Sequence, residues 1–107
     1  MSAESTRLGQ NEALFRSINE RIEAGTWPQS DSDLVAFRCE CATLGCNMLV
    51  ELSLAEYESV RANSRHFILA PGHERAEVEE VIRRTNEYVV VQKFGEAGRV
   101  AETTDPR

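Results

Sequence analysis

All three cysteines of the chain, Cys39, Cys41 and Cys46, lie within eight consecutive positions. Cysteine thiolates are typical ligands of structural zinc, which takes four nitrogen or sulfur ligands at roughly 2.0–2.3 Å. In an extended chain Cys39 and Cys41 point to the same side, because side chains alternate. A turn over residues 42–45, in which Gly45 permits a tight backbone, then returns Cys46 to the other two. The spacing C-x-C-x4-C therefore predicts three metal ligands at the end of a hairpin.

The fourth ligand must come from a distant segment, and the chain contains two histidines, His66 and His73. His73 lies in the segment A-P-G-H-E, where Gly72 frees the backbone and Glu74 can accept a hydrogen bond close to the metal. His66 lies inside a predicted strand, a setting that orients a ligand less readily than a loop does. We expect a zinc site of Cys39, Cys41, Cys46 and His73, with Glu74 as its outer partner. His66 stays open as the alternative.

Three cysteines this close together could also serve packing, redox chemistry or disulfide formation. Single cysteines often pack as small apolar residues, and exposed thiolates can serve redox chemistry. An odd number of cysteines does not suit a disulfide framework. A closed set of three thiolates and one imidazole indicates a structural zinc, whereas an open set with Glu74 or Glu40 as proton carrier would indicate a small metalloenzyme. The sequence contains no H-E-x-x-H helix, G-x-S-x-G elbow or phosphate-binding loop.

Length and charge limit the class of protein. A chain of 107 residues has room for one domain. With 18 acidic against 12 basic residues and a formal net charge of -6, nucleic-acid binding is disfavoured. No apolar run is longer than Tyr88–Val91, so no membrane span is expected. Residues 1–7 lack the apolar core of a secretory leader, and we expect a cytoplasmic protein with reduced thiols and another protein as its partner.

The first half of the chain predicts a helix followed by a hairpin. A helix over residues 11–24 follows from an apolar stripe at three- and four-residue steps, formed by Leu14, Phe15, Ile18 and Ile22. Its outer face would carry Glu12, Arg16 and Glu20. Trp27 is interpreted as a packing anchor after this helix. Residues 34–41 and 48–53 alternate as strands, and residues 42–45 form the turn between them.

The second half predicts one helix and three further strands. Ser53 and Glu56 form a capping box that starts a short helix at Leu54. Strands follow over residues 65–70, 80–84 and 88–94, separated by the P-G-H-E turn and a hairpin. For the second of these strands a helical turn stays open as the alternative, since Val78, Val81 and Ile82 also suit one. The expected fold is a small single α+β domain over residues 11–98, with antiparallel strands, a cysteine-bearing hairpin, two helices and stabilisation by zinc. Residues 1–10 and 99–107 are expected to be flexible ends.

The segments NEALFRSINERIE, FRCECATLGC, LSLAEYESVRA, RHFILAPGHE and YVVVQKFGEAG together carry a resemblance. In this order the chain resembles a family of short, uncharacterised bacterial proteins that share an N-terminal helix, a C-E-C-x4-C segment, an E-Y-E-x-V-R helix and a P-G-H-E loop. The resemblance implies a free-standing small protein. It also implies Cys39, Cys41, Cys46 and His73 as the ligand set, with His66 outside the motif.

Three functions are compatible with these features. The first is a zinc-stabilised module for protein interaction or regulation. The second is a thiol-based redox sensor that releases zinc on oxidation, and the third is a small metalloenzyme with an incomplete ligand set. The sequence determines neither the partner nor the oligomeric state.

Overall fold

The computed structural model of the protein describes residues 3–41, 43 and 45–107. In chain order its elements are α1 (Ala3–Ala24), β1 (Val35–Arg38), β2 (Leu49–Leu52), α2 (Leu54–Arg61), β3 (His66–Leu69), β4 (Glu79–Arg84), β5 (Val89–Lys93) and α3 (Gly95–Thr103). The prediction of a small α+β domain is confirmed. The predicted hairpin turn over residues 42–45 falls partly outside the description, because Ala42 and Leu44 are not described.

The strands form two antiparallel sheets that share one core. Strands β1 and β2 make a two-stranded sheet, in which Phe37 lies opposite Val50. Strands β3, β5 and β4 make a three-stranded sheet in that order, in which Phe67 lies opposite Val91. These four side chains are at most 2% exposed and belong to one core, as expected for sheets with one face turned to the interior. The strands therefore occur where the alternating and apolar runs predicted them.

Helix α2 begins as its capping box predicts. The Ser53 side chain accepts a hydrogen bond from the Glu56 backbone N–H, and the Glu56 carboxylate accepts one from the Ser53 N–H. Tyr57 faces inward, and its ring stacks on Phe37 with the centroids 4.3 Å apart. This contact packs α2 against the inner face of the sheet that continues into the cysteine segment.

Helix α1 differs from its prediction in its start and in its buried face. It begins at Ala3, not at Asn11, because Ala, Glu, Arg, Leu and Gln in residues 3–10 favour a helix even without an apolar stripe. Glu12 and Arg16, which the sequence assigned to the outer face, are 2% and 0% exposed, whereas Leu14 of the predicted apolar stripe is 53% exposed. The helix thus packs on the core through Phe15 of the predicted stripe, which is 4% exposed, together with buried polar side chains.

The contacts of Arg16 explain this orientation. Its guanidinium donates hydrogen bonds to the Ser64 carbonyl at 2.6 Å and to the Ala101 carbonyl at 2.7 Å. The same group lies 4.3 Å from the centroid of the Phe67 ring. All three partners come from distant parts of the chain, so the periodicity of α1 alone does not reveal which of its faces is buried.

The C-terminal segment forms a helix and ion pairs, although the sequence predicted a flexible end over residues 99–107. Helix α3 occupies part of the predicted tail and buries Ala97 and Ala101. Beyond it, Asp105 pairs with the buried Arg61 at 2.5 Å. The Arg107 guanidinium bonds to three carboxylates on α1 and α2, those of Glu20, Glu23 and Glu58. These ion pairs attach the end of the chain to the two other helices.

The prediction for Trp27 is wrong, since this side chain is 90% exposed and does not anchor the connection after α1. Leu34 and Leu49, on the outer face of the β1–β2 sheet, are each 58% exposed. Within the part of the chain that the structure describes, no helix has the length and apolar character required to cross a membrane.

Candidate metal centre

Three thiols and one imidazole converge at the end of the β1–β2 sheet. The ligand-type atoms of Cys39, Cys41, Cys46 and His73 all lie within 4.8 Å of one another. The His73 Nδ1 is 3.5 Å from the Cys39 sulfur and 3.6 Å from the Cys46 sulfur. Tetrahedral zinc with thiolate bonds near 2.3 Å separates its ligand atoms by about 3.6–3.8 Å. The group can hold a metal ion after its widest pair closes by about 1 Å.

Residues 39–41, called the cysteine strand below, continue past the end of β1 in an extended form, and this form positions their side chains. The Cys39 N–H donates to the Met48 carbonyl on one side at 3.0 Å, and the Glu40 N–H donates to the Ile68 carbonyl on the other at 2.8 Å. This alternation aims Cys39 and Cys41 in the same direction, and both are almost fully buried. The return of Cys46 follows a turn in which its N–H donates to the Thr43 carbonyl at 3.2 Å.

A glycine with positive φ directly precedes each of the two ligands that come from loops. Gly45, at φ 86°, precedes Cys46, and Gly72, at φ 88°, precedes His73. Residues with a side chain rarely adopt this backbone conformation. In the second loop the His73 N–H donates to the Ala70 carbonyl at 3.1 Å, which closes the turn and directs the imidazole toward the cysteines.

Two arginines stabilise the loop that carries Cys46. The Arg38 guanidinium donates to the Cys46 carbonyl at 2.6 Å. Arg75 donates to the Thr43 hydroxyl at 3.0 Å and so connects this loop with the segment that follows His73. Both contacts leave the thiol of Cys46 directed at the cluster. The contact of Arg38 with the Cys46 loop was not predicted from the sequence.

The thiols interact strongly with one another. A hydrogen bond with Cys39 lowers the pKa of Cys41, and the same contact together with burial raises the pKa of Cys39. One thiolate therefore forms readily in this pair, and the second proton is held until a cation replaces it. Metal binding supplies that positive charge and displaces the proton.

The structural role of Glu40 was not predicted from the sequence. It was considered only as a proton carrier for an open site, but its side chain is 0% exposed and directed away from the cluster. Burial raises the pKa of Glu40 to about 7, against the opposing effect of hydrogen bonds from Asn19 and Ile68. The signal was present in the sequence, because strand alternation puts Glu40 on the opposite side from both neighbouring cysteines.

The two remaining candidates lie outside the group of four. The Glu74 carboxylate accepts from the Gly72 N–H at 2.9 Å and pairs with Arg84 at 3.1 Å. Its contacts thus stabilise the loop backbone before His73, and its role as acceptor beside the metal stays a prediction. His66 lies on β3 opposite Gln92, with its Nε2 3.0 Å from the Gln92 Oε1.

The solvent side of the cluster is a polar surface depression of about 430 Å³. His73 and Arg75 line it together with Thr43, Gly72, Glu74 and Glu77. Comparisons of the chain with protein-family models, with curated proteins and with solved structures give no match.

Proposed function

We propose that the protein is a small zinc-binding module in which a structural Cys3His site holds the cysteine hairpin and the His73 loop together. The observation that carries this proposal is the convergence of four ligand atoms within 4.8 Å, three from the cysteine hairpin and one from the His73 loop. Three thiolates and one imidazole are a common donor set for structural zinc, and soft sulfur ligands in tetrahedral geometry favour it over magnesium or calcium. Four protein ligands fill the coordination shell, which favours a structural role over a metalloenzyme.

Metal analysis tests this proposal directly. Protein purified without chelator should contain about one zinc ion per chain, because a structural site is filled in the folded state. The variant for comparison is Cys46→Ser, which keeps the approximate size of the side chain but removes one of the four proposed ligands. We expect this variant to retain much less zinc. A wild-type protein that is fully folded and contains no metal would overturn the proposal.

The family resemblance and the cellular compartment belong to the same proposal. We infer membership in the family of short bacterial proteins that the C-E-C-x4-C and P-G-H-E segments resemble, because these two segments carry all four proposed ligands. The three cysteines are free of disulfides. A reducing cytoplasm would keep such thiols available to the metal.

We further propose that the module binds another protein through the outer face of the β1–β2 sheet. Exposed apolar side chains on this face support the proposal, since Leu34 and Leu49 are each 58% exposed. Affinity capture should compare the wild type with Leu49→Glu, and with Phe94→Glu as a control of similar exposure elsewhere. The expected result is one protein that wild type and control capture and Leu49→Glu loses. Equal capture by all three would contradict this surface.

A thiol-based sensor is the second candidate, and the unequal exposure of the cysteines favours it. Cys39 and Cys41 are 1% and 2% exposed, whereas Cys46 is half-buried and open to small oxidants. Peroxide would oxidise the Cys46 thiolate to a sulfenic acid. A neighbouring thiolate then attacks the sulfenic sulfur and displaces hydroxide, so that two thiolates lose two electrons to one peroxide. The two hydroxide ions that are released take up two protons from the solvent and become water. The resulting disulfide removes two ligands and releases the metal.

Zinc release distinguishes the sensor from a purely structural site. A sensor should release its zinc at low peroxide and rebind it after a thiol reductant is added. The release is followed with a coloured zinc chelator, and the disulfide is located by mass spectrometry. Zinc retention at peroxide concentrations that modify other small thiols would exclude the sensor and leave the structural module.

A further inference from the structure

Glu40 is a carboxylate enclosed in the core between two proposed metal ligands. Its side chain is 0% exposed, although a buried carboxylate is costly unless hydrogen bonds and charges compensate for the lost water. Alternation of the extended strand directs Glu40 away from the thiols of Cys39 and Cys41. A side chain that faces away from the ligands can still determine where they lie, through the elements that it connects.

The first of these elements is strand β3, the edge strand of the three-stranded sheet. The Glu40 N–H donates to the Ile68 carbonyl at 2.8 Å, and the Ile68 N–H donates to the Glu40 Oε1 at 3.0 Å. Glu40 therefore satisfies both backbone groups of Ile68, one with its own backbone and one with its side chain. This double contact attaches the cysteine strand to the edge of β3 at one defined register.

The second element is helix α1, which contributes Asn19. The Asn19 side-chain amide donates to the Glu40 Oε2 at 2.8 Å and to the Arg38 carbonyl at 2.9 Å. Its Oδ1 accepts from the Arg38 N–H at 2.7 Å. Both oxygens of Glu40 and both ends of the Asn19 amide are thus used, and the cysteine strand is held from the helix side as well.

Strand β3 leads directly to the other half of the metal centre. Two residues after Ile68, the Ala70 N–H donates to the Cys39 sulfur at 3.1 Å. Five residues after Ile68 the chain reaches His73, whose Nδ1 faces the sulfurs of Cys39 and Cys46. The register between Glu40 and Ile68 consequently sets the position of the imidazole relative to the thiols.

From this arrangement we propose that Glu40 is a positioning residue of the metal site, which aligns the His73 loop with the cysteine hairpin. The inference rests on the proposed metal-binding function. Outer partners that orient a metal ligand typically contribute about 10- to 100-fold to metal affinity. Glu40 would act through two elements at once, since the Ile68 contact sets the register and the Asn19 contact holds the carboxylate in place.

The test is a titration of purified protein with Co²⁺, which occupies zinc sites and absorbs visible light when its coordination is tetrahedral. Glu40→Ala removes both acceptors and should weaken Co²⁺ binding by about 10- to 100-fold. Glu40→Gln keeps an acceptor for the Ile68 N–H but brings an amide toward the Asn19 donor. We expect a smaller loss for this variant, and it decides the question if Glu40→Ala does not fold.

Combination with His73→Ala separates positioning from general destabilisation. If Glu40 acts by placing the imidazole, then Glu40→Gln should have little further effect on Co²⁺ affinity once His73 is absent. A purely structural role would give the same fold-loss in both backgrounds. The matched control is Glu12→Gln, the same substitution at a carboxylate that is 2% exposed and pairs with Lys93, and it should leave Co²⁺ affinity within about twofold.

Two outcomes overturn the inference in different ways. Unchanged Co²⁺ affinity in a folded Glu40→Ala, or a loss in Glu40→Gln that is equal with and without His73, would show that Glu40 does not position the ligand. A wild-type protein that binds no Co²⁺ would overturn the proposed function itself, and the inference with it. Weakened binding that depends on the presence of His73 supports both.

Discussion

The backbone N–H of Ala70 donates a hydrogen bond to the sulfur of Cys39 at 3.1 Å. This contact joins the end of β3 to the cysteine strand before any metal is considered. An N–H donor stabilises negative charge on the sulfur, so it favours the thiolate form that a metal requires. The peptide that lies three residues before His73 is thereby held against another proposed ligand.

Substitution of His73 should weaken metal binding more than any change outside the four ligands. His73→Ala removes the only proposed nitrogen ligand, and we expect a loss above the 100-fold that is typical of outer partners. Zinc affinity is measured by competition with a chelator of known strength. The control is His66→Ala, since His66 contacts Gln92 on the neighbouring strand and should leave the affinity unchanged.

Equal losses in the two histidine variants, or no loss in either, would contradict the assignment of His73. A loss confined to His66→Ala would instead make His66 the fourth ligand. That result would require β3 to shift relative to the cysteine strand, because His66 lies opposite Gln92 in the described structure.

The glycine before His73 should be required for its backbone conformation. At φ 88° a side chain is strained by about 1–2 kcal/mol, although the space beside Gly72 is open. Metal binding would hold the loop in this strained conformation, whereas the metal-free loop can relax. Gly72→Ala should therefore reduce metal affinity by about tenfold. The control is Gly25→Ala at the end of α1, where φ is not positive and the added methyl group would lie 3.4 Å from the Arg21 carbonyl. An equal effect of the two substitutions would exclude a special requirement at Gly72.

The buried ion pair between α1 and the three-stranded sheet should make stability depend on pH. Glu12 contacts the Lys93 ammonium, which also pairs with Glu79 at 3.1 Å, so two carboxylates share one cation. Burial raises the pKa of Glu12 to about 7 from 4.5. Because the folded state holds this proton more tightly, the stabilising contribution is complete below about pH 4.5. It is lost as the pH rises toward 7.

Urea unfolding of the metal-loaded wild type and of Glu12→Gln between about pH 5 and pH 8 measures this effect. Relative to the variant, the wild type should lose up to about 3 kcal/mol of unfolding free energy over this range. The cysteines titrate equally in both proteins, so their contribution cancels in the difference. A difference that is constant or increases with pH would show that the Lys93 charge outweighs burial.

The contact of Asp105 with Arg61 should contribute to stability in spite of its place near the end of the chain. The Arg61 side chain is fully buried and bonds to Glu20 at 2.6 Å as well as to Asp105. Asp105→Ala should cost about 2 kcal/mol of unfolding free energy, because it removes a hydrogen bond between charged groups. Urea unfolding measures the loss, with Glu102→Ala as the control.

Glu102 pairs with Arg65 on the surface, where its side chain is 51% exposed. Removal of this pair should cost less than about 1 kcal/mol. If Asp105→Ala costs no more than Glu102→Ala, the last residues contribute little to the fold, as the sequence had suggested for a flexible tail.

Much of the local structure could be predicted from the sequence, because each feature depends on neighbours in the chain. The capping box of α2 and the hairpin from β4 to β5 arise from residues a few positions apart. Helix α3 was missed because Ala97 and Ala101 form too short an apolar pattern to indicate a helix. Helix α3 contacts α1, which is distant in the chain, and the Arg16 side chain of α1 reaches the Ala101 carbonyl.

The candidate site divides in the same way. The sequence by itself determined that Cys39 and Cys41 share one side of an extended strand and that glycines precede Cys46 and His73 in tight loops, since backbone alternation and φ preferences are local. Only the tertiary structure decided that His73 meets the cysteines and that α1 buries Glu12, Arg16 and Asn19. Those outcomes depend on the register of distant segments, held here by the contacts of Glu40 with Ile68 and Asn19, which no local pattern encodes.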